Sequence, residues 1–256
     1  MSELVVAAVP SARPSSLEAG PRLRGRVIDR SAVDAGLEEA MYALLTAHFT
    51  GVDRGTFHED LAGKTAVILL EDEDQVLRGF STLHVYATHA AGPPVTIIYS
   101  GDTIVDRTCW GSHTLAKTWI QCVRRSAAAA GTDVYWLLIT SGYRTYRFLP
   151  VFFRAFYPRF DKQTPPGDQA LLDAVARERF GPRYDEESGV VRLDRPQVLA
   201  GDLLDVQPGR TTDAHIAFFL ARNAGFVSGD ELVCLTRIHD DNLTSAGRRM
   251  AGLSRT

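Results

Sequence analysis

Residues 95–157 decide the fold, and they read VTIIYSGDTIVDRTCWGSHTLAKTWIQCVRRSAAAAGTDVYWLLITSGYRTYRFLPVFFRAFY. The stretch begins with residues 95–105, whose many β-branched side chains predict a strand. Gly101 lies inside that strand, and a glycine there predicts a β-bulge or a bend. Apolar positions then recur at helical spacing over residues 112–130, so this run predicts an amphipathic helix that ends at Gly131.

The second half of the stretch predicts another strand and another helix. Residues 134–139 are continuously apolar, which is typical of a strand buried on both faces of a sheet. Residues 143–157 are rich in aromatic side chains and predict a helix that is kinked by Pro150 and ended by Pro158. The order strand, turn, helix, strand and helix predicts the core of a single-domain α/β (α+β) protein.

On the N-terminal side of this core, the pattern predicts one helix and two strands. Residues 34–49 carry apolar side chains at helical spacing, and either Ser31 or Asp34 can cap the start of that helix. Residues 65–70 and 76–86 are rich in apolar and β-branched side chains, and an acidic turn joins them. Two antiparallel strands are the best interpretation.

On the C-terminal side, the pattern is looser and predicts mainly helices. Residues 168–180 and 213–223 predict two helices, residues 190–191 a short strand, and residues 231–238 a closing strand. We therefore expect an extra C-terminal helical segment beyond the core.

Composition divides the chain into four parts. Residues 1–25 are rich in Pro, Ser, Ala and Gly, which predicts a disordered N-terminal tail. The core then spans residues 26–161, and residues 162–240 form an extension that completes the same domain. Its part over residues 163–230 is long enough to form a lid, an acceptor-specificity lobe or the surface of a homodimer. Residues 241–256 are polar and predict a flexible tail.

The overall composition excludes several classes of protein. The net charge of -3 lacks the basic excess of a nucleic-acid-binding protein. No run of about 18 apolar residues is present, which argues against a membrane span. Cys109, Cys122 and Cys234 are odd in number and have no paired spacing, so we expect a reducing compartment and a cytoplasmic location.

The predicted order of elements resembles the GNAT superfamily of acyl-CoA-dependent N-acyltransferases. The likeness covers about residues 25–161, with residues 231–238 as the closing strand. It implies a mixed, mostly antiparallel central sheet that is flanked by helices. In that family the fourth strand ends at a pyrophosphate-binding turn that opens a helix, and the splay of this strand from the fifth strand admits the pantetheine arm.

The resemblance also implies where the acyl donor binds. The family turn reads Gln or Arg, two residues, Gly, one residue, then Gly or Ala, and here only Gly111 matches it. A strand-to-helix turn with a core tryptophan is therefore an alternative, and the donor could be acetyl-CoA, another acyl-CoA or an acyl carrier protein that lands on nearby arginines. The implied donor-binding residues are Thr103, Ile104, Val105, Trp110, Gly111, Ser112, His113, Tyr143, Arg144 and Arg147.

Amide formation from a thioester needs a base for the amine and an acid for the leaving thiolate. Related enzymes often place a carboxylate on the fourth strand and a tyrosine on the helix after the fifth, which implies Asp102 as the base, directly or through a water molecule, and Tyr146 as the acid, with Tyr143 as the other tyrosine that fits. Ser100, beside Gly101, is a further catalytic candidate. The alternatives are that Asp102 stabilises an Asx-type turn and that the tyrosines, which lie at helical spacing, only pack in the core.

The sequence thus predicts an N-acyltransferase that acts on the amine of a small molecule. The alternative is a non-catalytic module with the same fold that binds an acyl thioester. No cluster of histidine, cysteine and acidic residues has the spacing of a metal site, so we expect no metal.

Overall fold

The computed structural model describes residues 21–204 and 209–253. We number strands and helices in chain order and leave single turns of 3-10 helix without labels. The strands are β1 (Arg24–Asp29), β2 (Phe49–Thr50), β3 (Ala66–Glu71), β4 (Leu77–Thr88), β5 (Val95–Val105), β6 (Asp133–Thr140), β7 (Tyr184–Asp185), β8 (Val190–Val191), β9 (Val198–Leu199) and β10 (Glu231–Arg237). The helices are α1 (Ala35–Thr46), α2 (Arg54–Ala62), α3 (Thr114–Ala130), α4 (Tyr143–Tyr146), α5 (Phe148–Phe152), α6 (Pro166–Phe180), α7 (Ala214–Arg222) and α8 (Ser245–Ala251).

Eight of these strands form one sheet, in the order β1-β3-β4-β5-β6-β10-β8-β7. Strands β5 and β6 are parallel, while the other neighbouring pairs among the described strands are antiparallel. The long helix α3 connects the parallel pair, as a parallel crossover requires. The predicted mixed, mostly antiparallel sheet flanked by helices is confirmed, and β2 and β9 form a separate two-stranded ribbon.

Helices cover both faces of the sheet because successive strand residues point to opposite sides. On one face, which we call the α3 face, Ile98 and Leu138 pack in a core cluster with residues of α3, α4, α5, α7 and α8. On the other face, the α2–α6 face, Ile97 and Leu137 pack under α6. A third cluster on that face joins strands β3, β4 and β5 to α1 and α2.

Local capping explains where several helices begin and end. The Asp34 carboxylate accepts a hydrogen bond from the Leu37 N–H at 2.8 Å, so Asp34 is the N-cap of α1. Gly131 adopts a left-handed conformation with φ 66° and ends α3. Asp53 caps α2 in the same way as Asp34 caps α1. The sequence analysis did not predict helix α2, because only Phe57 and Leu61 of its nine residues are buried.

The aromatic helix predicted over residues 143–157 is shorter than expected. It divides into α4 and α5 and ends at Phe152. The next residues turn away to make isolated bridges, Phe153 with Leu243 and Tyr157 with Leu235. Pairing with a distant part of the chain therefore replaces the last turn of the predicted helix.

The C-terminal tail also differs from the expectation, because part of residues 241–256 forms helix α8. Thr244 caps this helix by accepting the Gly247 N–H at 3.1 Å, and Gly252 ends it with φ 75°. Ala251 is buried in the cluster of the α3 face. Of the predicted N-terminal tail, residues 1–20 lie outside the described residues, and β1 already begins at Arg24. No helix within residues 21–204 and 209–253 is long and apolar enough to span a membrane.

Candidate active site

Strands β5 and β6 separate towards their C-terminal ends. Their parallel register runs from the Val95–Asp133 pair to the Ser100–Leu138 pair. Beyond that point β5 continues to Val105 beside β4. Unpaired edges of the two strands therefore face each other across a slot, which opens where α3 and α4 begin.

A β-bulge lies at the inner end of the slot. Ser81 pairs with Thr103 while Leu83 pairs with Ser100, so Thr82 alone faces both Gly101 and Asp102. The predicted irregularity at Gly101 is therefore present. A Cβ atom on Gly101 would lie 2.6 Å from Thr82 Oγ1 and 2.8 Å from Lys64 Nζ, so this close approach requires a glycine.

The slot opens into a cavity of about 460 Å³ on the α2–α6 face. The cavity is bordered by α2, α6, the bulge, the end of β6 and the start of β10. The residues with charged or hydroxyl groups that line it are Thr56, Asp60, Tyr99, Ser100, Asp102, Thr103, Thr140, Ser141, Thr145, Arg179, Arg195 and Glu231.

Asp102 and Glu231, which line this cavity, have raised pKa values. Burial, followed by the nearby charge of Asp60, raises the pKa of Asp102 to about 6, although the Lys64 ammonium partly opposes this. Burial, followed by the charges of Asp102 and Asp60, raises the pKa of Glu231 to about 8. At neutral pH the cavity thus holds an ionised Asp102 and a mostly protonated Glu231. The sequence analysis missed Glu231, whose only signal is an acidic residue at the start of an apolar strand.

A buried lysine lies beside the bulge and was also missed. The Lys64 side chain is 1% exposed, and its Nζ lies 2.7 Å from the Asp60 carboxylate and 5.0 Å from the centre of the Tyr99 ring. The Thr82 hydroxyl next to it is buried and has no hydrogen-bond partner among the described residues. The ammonium and the unpaired hydroxyl therefore lie buried beside Gly101, and neither residue is among those that line the cavity.

Ser100 has a structural partner on the other side of the sheet. Its Oγ accepts a hydrogen bond from Trp136 Nε1 at 2.8 Å, and Trp136 belongs to the cluster of the α3 face. The backbone of Ser100 borders the slot, while its hydroxyl holds this tryptophan. The Ser100 hydroxyl therefore has a hydrogen-bond partner in the core.

Tyr146 also lies in the core of the α3 face. Its side chain is fully buried among the rings of Phe156, Phe218 and Phe219. The hydroxyl donates to the Pro158 carbonyl at 3.0 Å, and burial raises the pKa of the phenol. This placement agrees with the packing alternative for Tyr146, and Tyr143 at the start of α4 is buried in the same cluster, with its ring under the Arg144 guanidinium.

We predict that Tyr146→Phe will change kcat by less than about threefold. The variant loses one hydrogen bond, to the Pro158 carbonyl, so its free energy of unfolding should fall by about 0.5–1.5 kcal/mol. Steady-state rates and urea unfolding measure the two effects, with Tyr143→Phe as the matched variant. A kcat loss of a hundredfold for Tyr146→Phe alone would return the acid role to Tyr146.

The turn between β5 and α3 has open space around Gly111. Trp110 Nε1 donates to the Val105 carbonyl at 2.8 Å, and Ser112 Oγ accepts the Thr114 N–H at 3.2 Å. His113 is the N-cap residue of α3, but its side chain makes no capping hydrogen bond. A Cβ on Gly111 would meet no atom within 4 Å. The space beside Gly111 is therefore open, at the turn that precedes the 17-residue helix α3.

The start of α4 lies next to this turn. The Arg144 guanidinium stacks over the rings of Trp110, at 5.1 Å, and of Tyr143, at 4.9 Å, and it donates to the Leu203 carbonyl at 3.0 Å. The fold thus brings three of the predicted donor-binding residues together. Arg147 is not one of them, because it pairs with Asp213 at 3.2 Å.

The predicted donor-binding residues at the end of β5 differ in their accessibility. Thr103 lines the cavity, and its Oγ1 lies 2.8 Å from Ser81 Oγ. Ile104 is buried in the cluster under α1 and α2. Val105 is half-buried and presents its carbonyl to Trp110. Of the three, only Thr103 contributes to the cavity.

We predict that Glu231→Gln will change the pH dependence of stability. The folded pKa of about 8 exceeds the ordinary value of 4.5, so the folded state binds the proton more tightly and loses stability as pH rises from about 4.5 to 8. Glutamine cannot ionise. Between pH 5 and pH 8.5, the free energy of unfolding of the variant should therefore rise by about 1–3 kcal/mol relative to that of the wild type. This range is smaller than the full pKa shift implies, because solvent screens a partly exposed carboxyl.

Urea unfolding at both pH values measures this gain. Glu186→Gln is the matched control, since Glu186 is exposed and pairs with Arg177 on the surface. A difference between Glu231→Gln and the wild type that does not vary with pH would contradict the raised pKa.

Comparison with known proteins adds several solved structures. No protein-family model matches the sequence, and no curated protein matches it either. A conserved protein of unknown function from Enterococcus faecalis V583 is 13% identical with a TM-score of 0.40, over 84% of this chain and 66% of that one. An acetyltransferase from Trypanosoma brucei is 18% identical with a TM-score of 0.38, over 56% of this chain and 100% of that one.

A third solved structure belongs to a named enzyme family. It is a GNAT-family N-acetyltransferase from Escherichia coli in complex with CoA, 14% identical with a TM-score of 0.37, over 53% of this chain and 71% of that one. The chain is thus similar in structure to GNAT-family N-acetyltransferases at low sequence identity.

Proposed function

We propose that the protein is a GNAT-type N-acyltransferase. It would transfer an acyl group from the thioester of acetyl-CoA, another acyl-CoA or an acyl carrier protein to the amine of a small molecule. The observation that carries this proposal is the slot between β5 and β6, which ends at the Gly101–Asp102 bulge and opens into a cavity with carboxyl groups of raised pKa. The three free, buried cysteines support a reducing compartment such as the cytoplasm.

The donor would bind in the slot, with its anionic end at the start of α3. Helix N-termini attract phosphate groups because their first N–H groups lack partners and the helix dipole adds positive charge. The open space at Gly111 and the Arg144 guanidinium beside Trp110 fit such a group. The thioester carbonyl would then reach the bulge, next to Lys64 and Thr82.

Asp102 would act as the base of the reaction. An acceptor ammonium gives its proton to the Asp102 carboxylate, directly or through a water molecule, and the freed nitrogen lone pair forms a bond to the thioester carbon. A carboxyl with a pKa of about 6 is ionised at neutral pH, yet it is a stronger base than an ordinary aspartate.

The negative charge that develops on the carbonyl oxygen also needs partners. The Lys64 ammonium is buried beside the bulge and would favour this charge through its own positive charge, without contacting the oxygen. When the C–S bond breaks, the electron pair leaves with the sulfur, the attacking nitrogen loses its second proton to solvent, and Tyr143 or solvent protonates the thiolate. The products are an amide and a free thiol.

A non-catalytic acyl-thioester-binding module is the second candidate. Only Gly111 of the family's phosphate-binding motif is present in the turn, which favours a remodelled binding site over an ordinary one. Such a module would bind a donor but would transfer nothing.

Donor binding and thiol release test the two candidates together. We would mix the protein with acetyl-CoA, longer acyl-CoAs or an acylated carrier protein, add a panel of primary amines, and follow free thiol with a chromogenic reagent. A donor at a hundred times its Kd should stabilise the fold by about 2.7 kcal/mol. Stabilisation without thiol release would favour the binding module, and the absence of both for every donor would end the proposal.

A further inference from the structure

Arg179 of α6 lines the cavity without an anionic partner. Its Nη1 lies 3.1 Å from His84 Nδ1, its Nε is buried and makes no hydrogen bond, and its guanidinium lies 3.6 Å from the centre of the Tyr99 ring. Among the described residues, no carboxylate lies within 4.0 Å of it. Neighbouring arginines differ, because Arg177 pairs with Glu186 and Arg183 with Asp194.

The groups around Arg179 do not neutralise its charge. Burial, followed by the charges of Arg179 and Lys64, lowers the pKa of His84, so this histidine is neutral and accepts a hydrogen bond. Burial raises the pKa of the Tyr86 and Tyr99 phenols, which are therefore neutral as well. The groups that contact the Arg179 guanidinium are thus neutral, and Lys64 adds a second positive charge at the Tyr99 ring, so an anion bound beside Arg179 would be stabilised.

The cavity therefore has a cationic end and an acidic end. The two are close, because Arg179 and Lys64 both pack against the Tyr99 ring, and Lys64 Nζ reaches the bulge that carries Asp102. The second carboxyl, Glu231, lines the same cavity. A small molecule with opposite charges a few bonds apart could contact both ends at once.

We infer that the acceptor is an amino acid or a similar small amine with a carboxylate, which Arg179 binds through its guanidinium while Asp102 receives the amine. This inference rests on the proposed function and adds the class of acceptor. A guanidinium suits the task because its planar fork donates two parallel hydrogen bonds to a carboxylate. A lysine at this place would supply charge without the fork.

Matched acceptors test the inference. With a donor that the thiol-release assay has identified, we would compare kcat/KM for L-amino acids and for the corresponding L-amino acid amides, at a pH where both amines are protonated, so that the two acceptors differ in the carboxylate charge. We expect the wild type to prefer the carboxylates by about 30-fold or more, as expected for a buried charge pair. Equal or better use of the amides would overturn the inference and leave the proposed function standing.

Variants of Arg179 separate ligand binding from packing. Arg179→Gln should raise KM for amino acids by about 30-fold or more and change the values for amides by less than about threefold, while Arg179→Lys should fall between it and the wild type. Arg177→Gln, on the same helix but exposed to solvent, is the control. An equal loss for both acceptor classes would mean that Arg179 only supports the fold, and the inference would be rejected.

Calorimetric titration measures the contact between Arg179 and the acceptor without turnover. Amino acids should bind the wild type loaded with the free-thiol form of the donor, which carries no acyl group to transfer, and bind Arg179→Gln in the same form at least about 30-fold more weakly. This experiment distinguishes failure of the proposed function from failure of the inference about the acceptor. Absence of donor binding and of thiol release removes the proposed function, whereas thiol release with uncharged amines and no binding of amino acids removes only the inference about the acceptor.

Discussion

Asp102→Asn will lower kcat by about 10²–10⁴-fold, which is the usual contribution of a positioned general base. Asparagine keeps the shape of the side chain but cannot accept the proton of the acceptor amine. Because the active form is the carboxylate and its pKa is about 6, the wild-type rate should rise with pH through about 6. The variant should lose this inflection, and pH–rate profiles of both proteins measure it.

Two further variants make the result specific. Asp194→Asn removes the same charge from an exposed residue that pairs with Arg183, and it should leave kcat unchanged. Glu231→Gln tests the other carboxyl of the cavity. Full activity of Asp102→Asn together with a large loss in Glu231→Gln would transfer the base role to Glu231. Donor binding, measured by thermal shift, should be the same in all three variants.

Trp136→Ala will destabilise the protein by about 3–5 kcal/mol, the range typical of deleting a large buried aromatic side chain. Trp136 lies within 4.3–5.9 Å, centre to centre, of the rings of Trp119, Phe148 and Phe153. Its Nε1 also donates to the buried Ser100 hydroxyl, so the variant leaves that hydroxyl without its partner. Urea unfolding, with the midpoint and slope fitted separately, measures the loss.

Trp110→Ala is the matched control for this prediction. Trp110 is 44% exposed and packs mainly against arginine side chains, so its removal should cost about 1 kcal/mol or less. Equal losses in the two variants would contradict the view that the cluster on the α3 face supports the inner end of the slot.

Local signals predict the central part of the fold well. The β-branched run that forms β5, the glycine at its bulge and the glycine that ends α3 each depend on neighbouring residues only. These features could be read from sequence because the physics that produces them acts over a few residues. The role of Asp102 as base was implied by the resemblance to the GNAT superfamily and stays a prediction.

Contacts between distant residues account for what the sequence analysis missed. Glu231 and Arg179 line the same cavity as Asp102, yet they come from β10 and α6, and nothing in their local sequence marks them. The aromatic helix ends early because Phe153 and Tyr157 bridge to Leu243 and Leu235. Tyr146 illustrates the same point, since helical spacing shows that it packs but cannot tell which hydroxyl faces a substrate.

Asp102 and Glu231, two carboxyls of the cavity, should affect the heat measured when the acceptor binds. A cationic acceptor placed beside Asp102 and Glu231 would lower both of their pKa values, and at neutral pH Glu231 still holds a proton. Acceptor binding should therefore expel a proton into solution. The enthalpy seen by calorimetry would then vary with the ionisation enthalpy of the buffer, and affinity would improve towards alkaline pH until the acceptor amine itself loses its charge.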